Sequence, residues 1–292
     1  MKKQYGAGLR IFNVSNHIFL AIVSFCMFLP FLIILGTSLS TESRIIKEGY
    51  TLWPRGFSTD AYKFVFDAGA IGGGYMISTF VTVVGTVIAV TVTAAAGYAI
   101  SRNYLKYRNF FALAFYFTMV FNGGLVPWYM MVSNLRLRDT IWALIVPMAF
   151  NPFNMLLMRN FFKTLPDSLV ESGKLDGAGE LRIFRSLILP ISLPGLATIT
   201  LFYMLAFWND WWLALLFIDD YKLYPLQFLL RKIQSNILYV MQGMNTVVKQ
   251  SQIPKETVQM AMCAVTIGPI IFVYPFIQRY FIKGITIGAV KG

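Results

Sequence analysis

Asp210 stands inside FWNDWW, Phe207–Trp212, directly after a run from Ser186 to Asn209 that carries no charge. A carboxylate at the end of so apolar a stretch is costly to desolvate. It must face a wet cavity or lie at the boundary of the apolar layer. Its neighbours offer the chemistry of sugar recognition. Ring faces stack on apolar C–H surfaces, while amides and acids such as Asn209 and Asp210 take hydroxyls. A belt of Trp and Tyr at headgroup level would place the same residues in the same way, so both readings stand. Asn122, Asn151 and Asn154 pose a similar choice: amides in apolar helices bond across to other helices, or they line a polar path. With Tyr203, Trp208, Asn209 and Asp210 they make up the candidate path residues.

None of this is bond-making chemistry. There are no paired carboxylates, no Ser/His/Asp set and no His-rich constellation. His17 is the single histidine, and Cys26 and Cys263 lie inside apolar runs, where they read as small hydrophobes rather than a disulfide or metal pair. No Gly-x-x-x-x-Gly-Lys-Ser/Thr loop is present to cradle nucleotide phosphates. The chain is therefore not expected to be an enzyme or to hold a cofactor or metal. Energy for any work it does must come from a partner or a gradient.

The elements that position these residues follow from composition. The 292 residues are 57% hydrophobic and only 13% charged, against about 25% charged in a soluble domain. A polytopic, all-α membrane protein is the expectation. Six runs nearly free of charge are long enough to cross a hydrocarbon core of about 30 Å. They lie at Asn16–Thr37, Tyr75–Ser101, Asn109–Ser133, Thr140–Phe161, Pro190–Phe217 and Thr257–Phe281. No strand-like alternation suggests a barrel, and continuous apolar runs need helices to satisfy their backbone. Pro30, Pro147, Pro152, Pro269 and Pro275 fall within these runs and should kink them.

The formal net charge of +12 sits in short loops, which suits a membrane better than nucleic acid. Fourteen Lys and Arg fall on the side that holds residues 1–10, 102–108, 159–185 and 279–291, and eleven on the other. This bias puts both termini in the cytoplasm. Lys2, Lys3 and Arg10 open like a signal peptide, but Ile11–Ser40 lacks charge and shows no cleavage site, so it reads as an uncleaved first span. The expected division is an N-terminal segment 1–74 with the first span and an outer loop, a core 75–283 and a tail 284–292. Leu39–Gly74, with a hinge-like Gly72-Gly73-Gly74, and 218–256 are the outer loops. Loops this long commonly bind something, though exposed connectors would look alike. No internal repeat marks a secondary transporter.

Pro166–Pro194 is the longest polar interruption on the cytoplasmic side. Ser168 and Glu171 have the spacing of a capping box, in which each side chain satisfies a backbone donor of the other residue. The first helix should stop near Asp176-Gly177, where glycine takes a left-handed turn without strain. A second, about Ala178 to Leu187, then runs into Leu189-Pro190. Glu171, Gly177 and Leu189-Pro190 stand at the spacing of the EAA loop, and the chain resembles the permease subunits of binding-protein-dependent ABC importers. Ser172 and Gly173 depart from that family's two alanines, and Leu187 from its isoleucine. Phe121–Pro147, Phe207–Leu215 and Tyr224–Arg231 extend the resemblance to the carbohydrate, maltose-type (MalG-like) branch and its LplC/YtcP group.

The resemblance implies a type I importer fold in the bacterial cytoplasmic membrane, with the loop at 166–189 as a coupling helix. Leu169, Val170, Glu171, Gly173, Asp176, Gly177 and Ala178 would form the surface that docks on an ATPase subunit. It implies a second, homologous permease, an ATPase dimer that binds ATP and magnesium, an extracytoplasmic solute-binding protein and an oligosaccharide cargo. The other reading is an autonomous secondary transporter or channel for a small polar solute. That would need ion or proton sites, and Asp210 is the only acid within the six runs.

Overall fold

A computed structural model describes residues 7–67, 71–243 and 254–268. Those residues are helical, and their only strand-like pairing is an isolated bridge between Ser40 and Phe57. They fall into two compact units, one holding 7–67 with 233–243 and 254–268, the other 71–232.

The first unit opens with α1, Ala7–Ser38, which continues through Pro30. Its apolar stretch Phe12–Ser38 is 27 residues, long enough to span, and only its last turn, with Thr37 and Ser38, is buried. The first outer loop is not loop alone, because it holds α2, Glu42–Glu48, and α3, Asp60–Asp67. Glu42 reaches across the sequence to the helix at 255–268. Its two carboxylate oxygens accept from the Glu256 and Thr257 amides, each at 2.9 Å. That caps the helix with a negative group at its N-terminus.

The second unit is built on α4, Ile71–Ser101. Gly72, Gly73 and Gly74 are its first turn, not a hinge; a Cβ on Gly74 would meet Leu229 Cδ1 at 2.5 Å, so close packing explains that glycine. α5, Arg108–Val120, and α6, Leu125–Asn134, come from one predicted span bent by 115°. The next predicted span breaks at Pro147 and Pro152 into 3₁₀ turns and α7, Pro152–Lys163, with a 48° bend. Each proline lacks the amide its preceding turn needs. After a short α8, Ser168–Leu175, the chain is helical from Glu180 to Ile191 as α9, Glu180–Ile183, a π-helical stretch at Phe184–Ile188 and α10, Leu189–Ile191. An 84° turn at Ser192 leads into α11, Leu193–Asn209, followed by α12, Trp212–Phe217, and α13, Leu226–Gly243.

Two uninterrupted helices among the described residues are long and apolar enough to cross a membrane, or up to five if each bent pair counts as one span. The sixth predicted span is described only as the helix to residue 268. Its remainder, Pro269, Pro275 and the tail at 284–292 lie outside the described residues. The core of this unit forms where α7 and α11 pack on α4. Gly97 lets the α7 backbone approach, since a Cβ there would stand 3.1 Å from the Arg159 nitrogen and 3.2 Å from the Met155 carbonyl oxygen. Small residues are what allow apolar helices to meet this closely.

Candidate functional site

The loop after α7 folds into a short helix fastened at both ends. α8 is entered from Asp167, already helical at φ −63°, so Ser168 lies inside the helix and no side chain caps it. The expected capping box is not formed. The Asp167 carboxylate turns to the end of α4, where it accepts from Asn103 Nδ2 at 3.2 Å and pairs with Arg102 Nη1 at 3.8 Å. Glu171 is left exposed.

The other end follows the sequence. Gly177 has φ +73°, its amide donates to the Lys174 carbonyl at 3.0 Å, and the Ala178 amide donates to the Gly173 carbonyl at 2.9 Å. These two bonds close a Schellman turn, which satisfies carbonyls the helix end would otherwise orphan. Nothing lies within 4 Å of a Cβ built on Gly177, so the backbone alone asks for glycine.

The helix has an inner and an outer face, and they divide the predicted coupling residues. Val170 and Gly173 are buried, and a Cβ on Gly173 would touch Ile183 Cγ1 and Leu187 Cδ1 at 3.0 Å. They belong to the packing beneath α8, not to a docking surface. Leu169 and Ala178 are half-buried, whereas Glu171, Asp176 and Gly177 are exposed. Leu175 is 89% exposed and Leu181 69%, and sequence reasoning missed both. The signal was present: a leucine five residues past a buried valine falls on the opposite face of a helix.

Glu180 ties the loop to α4. Its carboxylate pairs with Lys174 Nζ at 2.8 Å and accepts from the hydroxyls of Tyr104 at 2.6 Å and Tyr98 at 3.3 Å. Burial pushes this carboxyl up, but the hydrogen bonds from Lys174, Tyr104 and Tyr98 with the Lys174 charge outweigh it and hold Glu180 below the usual carboxylate range. Burial and the bond to Glu180 push the Tyr104 hydroxyl well above its ordinary value. The Lys174 ammonium also sits 4.0 Å from the centre of the Tyr104 ring.

The candidate path residues separate into three places. Tyr203 is 2% exposed, its hydroxyl 2.6 Å from Thr93 Oγ1 and accepting from the Asn151 amide at 2.9 Å. It joins α4, α7 and α11 in the core and lines no open surface here. Asn151 caps α7, its side chain accepting from the Phe153 and Asn154 amides, and Asn154 is buried one turn on. Asn122 accepts from the Gly124 amide at 2.9 Å and shapes the α5–α6 bend. Trp208, Asn209 and Asp210 stay together at the end of α11. Trp208 is buried with its ring 6.2 Å from that of Tyr75. Asn209 is exposed, back-bonded to the Leu205 carbonyl and accepting from Gln227 Nε2 at 3.3 Å. Asp210 accepts from the Leu213 amide at 3.2 Å and so starts α12. Arg231 of α13 lies over the Trp211 ring at 4.0 Å, a contact that the sequence did not single out.

The chain as a whole is similar to known proteins. The family described as binding-protein-dependent transport system inner membrane component matches residues 107–287. Over 284 residues the chain is 40% identical to Protein LplC of Bacillus subtilis strain 168, covering 97% of this chain and 96% of that protein. It is 39% identical, also over 284 residues, to the polygalacturonan/rhamnogalacturonan transport system permease protein YtcP of the same organism, covering 97% and 99%. A chain in the crystal structure of a bacterial ABC transporter involved in the import of the acidic polysaccharide alginate aligns with TM-score 0.78 and 29% identity, over 95% of this chain and 99% of that one.

Proposed function

We infer the role of this chain from what it is: it belongs to the family of binding-protein-dependent transport system inner membrane components. It is a transmembrane permease subunit of an ATP-driven importer for oligosaccharides. In that role it supplies half of the translocation path and a lever, while ATP and magnesium are handled by partner ATPase subunits. A second, homologous permease completes the path, and an extracytoplasmic binding protein delivers the cargo. Six spans with both termini in the cytoplasm place the α8 loop inside, where an ATPase can reach it.

The observation that carries this reading is α8 itself. A water-exposed leucine at the end of a short helix, Leu175, stands beside exposed Glu171 and a fixed glycine turn. An apolar side chain so exposed on a rigid element suits a partner's cleft. ATP binding closes the ATPase pair and draws the α8 helices of the two permeases together, and the spans pass from inward-open to outward-open. Hydrolysis resets them. At the outer end of α11, Trp208, Asn209 and Asp210 offer ring faces and hydroxyl acceptors to a sugar.

Polygalacturonan, rhamnogalacturonan and alginate are named for two of the matches, which makes uronate-containing oligosaccharides the first cargo to test. The experiment is to purify the chain with its ATPase and second permease and to measure hydrolysis with binding protein and candidate saccharides. Co-purification of the ATPase and stimulation by an oligosaccharide are expected. A chain that purifies alone and transports without ATP would instead be the autonomous carrier.

A further inference from the structure

Arg102 is the only charged residue among the buried residues of the described chain, at 3% exposure. A buried guanidinium is costly unless its donors are engaged, and breaking such a site is more damaging than never having built it. Here the donors fan out to different elements. Nε donates to Ser101 Oγ at 2.9 Å and Nη2 to the Phe162 carbonyl, in the last turn of α7, at 3.0 Å. Nη1 faces the Asp167 carboxylate at 3.8 Å, and the group lies 4.9 Å from the Tyr98 ring centre. One cation thus joins the end of α4, the end of α7 and the start of α8. The negative end of the α7 dipole adds to the attraction.

The far end of α8 returns to the same stretch of chain, since Lys174 is held by Glu180, and Glu180 by Tyr98 and Tyr104. Both ends of α8 therefore terminate on residues 98–104. α4 runs back from there for 31 residues, about 46 Å at helical rise. At its opposite end Ser78 Oγ accepts from the Leu226 amide at 2.8 Å, at the start of the helix whose Gln227 bonds Asn209.

We propose that residues 98–104 are the joint through which α8 drives α4, with Arg102 as the positioning residue that makes the two move as one body. The proposal rests on the importer reading above and adds the route by which motion at the ATPase face reaches the outer segment. Neither Arg102 nor Glu180 lies on the exposed face of α8. Their loss should leave docking intact and disconnect it from transport.

The test uses the complete complex: both permeases, the ATPase pair and the binding protein loaded with an oligogalacturonate. In Arg102→Met the ATPase should still co-purify and hydrolyse at its basal rate. Stimulated hydrolysis and sugar moved per ATP should fall about tenfold, the worth of one charge-assisted hydrogen bond. Arg102→Lys, which keeps the charge and a donor for the Phe162 carbonyl, should recover most of the stimulation. Arg102→Met and Glu180→Gln should combine less than additively, because they open the same joint.

In the assembled complex a merely structural arginine would lose basal rate and stimulation in parallel, and that outcome overturns the proposal. So does a variant with the parent's stimulation. Should Arg102→Met fail to assemble, Tyr104→Phe, which removes one exposed hydroxyl from Glu180, carries the test, and unaltered sugar moved per ATP in that variant overturns the proposal equally. If the parent complex shows no ATPase association or stimulation, it is the importer reading that fails, before any variant is compared.

Discussion

Two side chains show how much a single position decides. Gly177 at φ +73° has open space around it, so a larger residue is opposed by backbone strain of about 1–2 kcal/mol and not by contact. Gly177→Val should therefore insert and pair normally, yet lose ATPase association and stimulated hydrolysis, because the Schellman turn sets where α8 points. Gly177→Asn, which tolerates this region, should keep both. Co-purification and hydrolysis assays separate the two outcomes. Asp139, at φ +57°, accepts from the Asp219 amide at 3.0 Å and the Asp220 amide at 2.8 Å. Those two backbone bonds hold its carboxyl below the usual range. A depressed carboxyl contributes stability above its unfolded value of about 3.9 and loses it as pH falls through the folded value. Protection of the Asp219 and Asp220 amides from exchange should thus fall below about pH 4. In Asp139→Asn, which keeps an acceptor and does not titrate, exchange should lack that acid step.

At the scale of the element, α8 makes opposite predictions for its two faces. Leu175 is solvent-exposed while Val170 is buried in the cluster that also holds Ile183. Leu175→Glu should leave the thermal stability of the isolated chain unaltered and abolish ATPase co-purification. Val170→Glu should lower that stability by roughly 1.5–3 kcal/mol or more, since it removes a buried apolar side chain and buries a carboxylate. If Leu175→Glu retained its full ATPase content, the exposed leucine would have no part in docking. Breaks in the predicted spans also belong to this scale. Each occurs at residues that leave backbone groups free: Pro147 and Pro152 before α7, Pro194 at the start of α11, and Gly124 at φ +89° between α5 and α6. Such irregular backbone is tolerated at membrane depth only where protein or a wet cavity covers it.

For the whole molecule, the orientation of the spans fixes which surfaces meet which partners. Ser43, Lys106 and Ser172 are all exposed, so single cysteines placed there are accessible to a reagent that can reach them. Cys26 and Cys263 would first be replaced. In intact cells a membrane-impermeant thiol reagent should label position 43 and neither of the others. Labelling at 106 or 172 would turn the chain over and take α8 away from any cytoplasmic ATPase. The proposed orientation would put the Arg102 joint at the inner end of α4 and the Trp208–Asp210 segment at the outer side.

The sequence by itself determined the class of molecule, its helical build and the α8 glycine turn, because these depend on local terms. Apolar run length sets a span, and a left-handed turn selects glycine whatever surrounds it. Where a choice lay between local and distant partners, only the tertiary structure decided it. Ser168 and Glu171 had the spacing of a capping box, yet Asp167 entered the helix first and its carboxylate went to Arg102 and Asn103, more than sixty residues away. The hydroxyl of Tyr203, a candidate path residue, meets Thr93 and the Asn151 amide, partners that no local spacing announces. Glu42 gave no hint that it caps a helix 214 residues on. A hydrogen bond is read from sequence only when both partners share one turn of chain; otherwise the fold chooses among many donors and acceptors of similar strength.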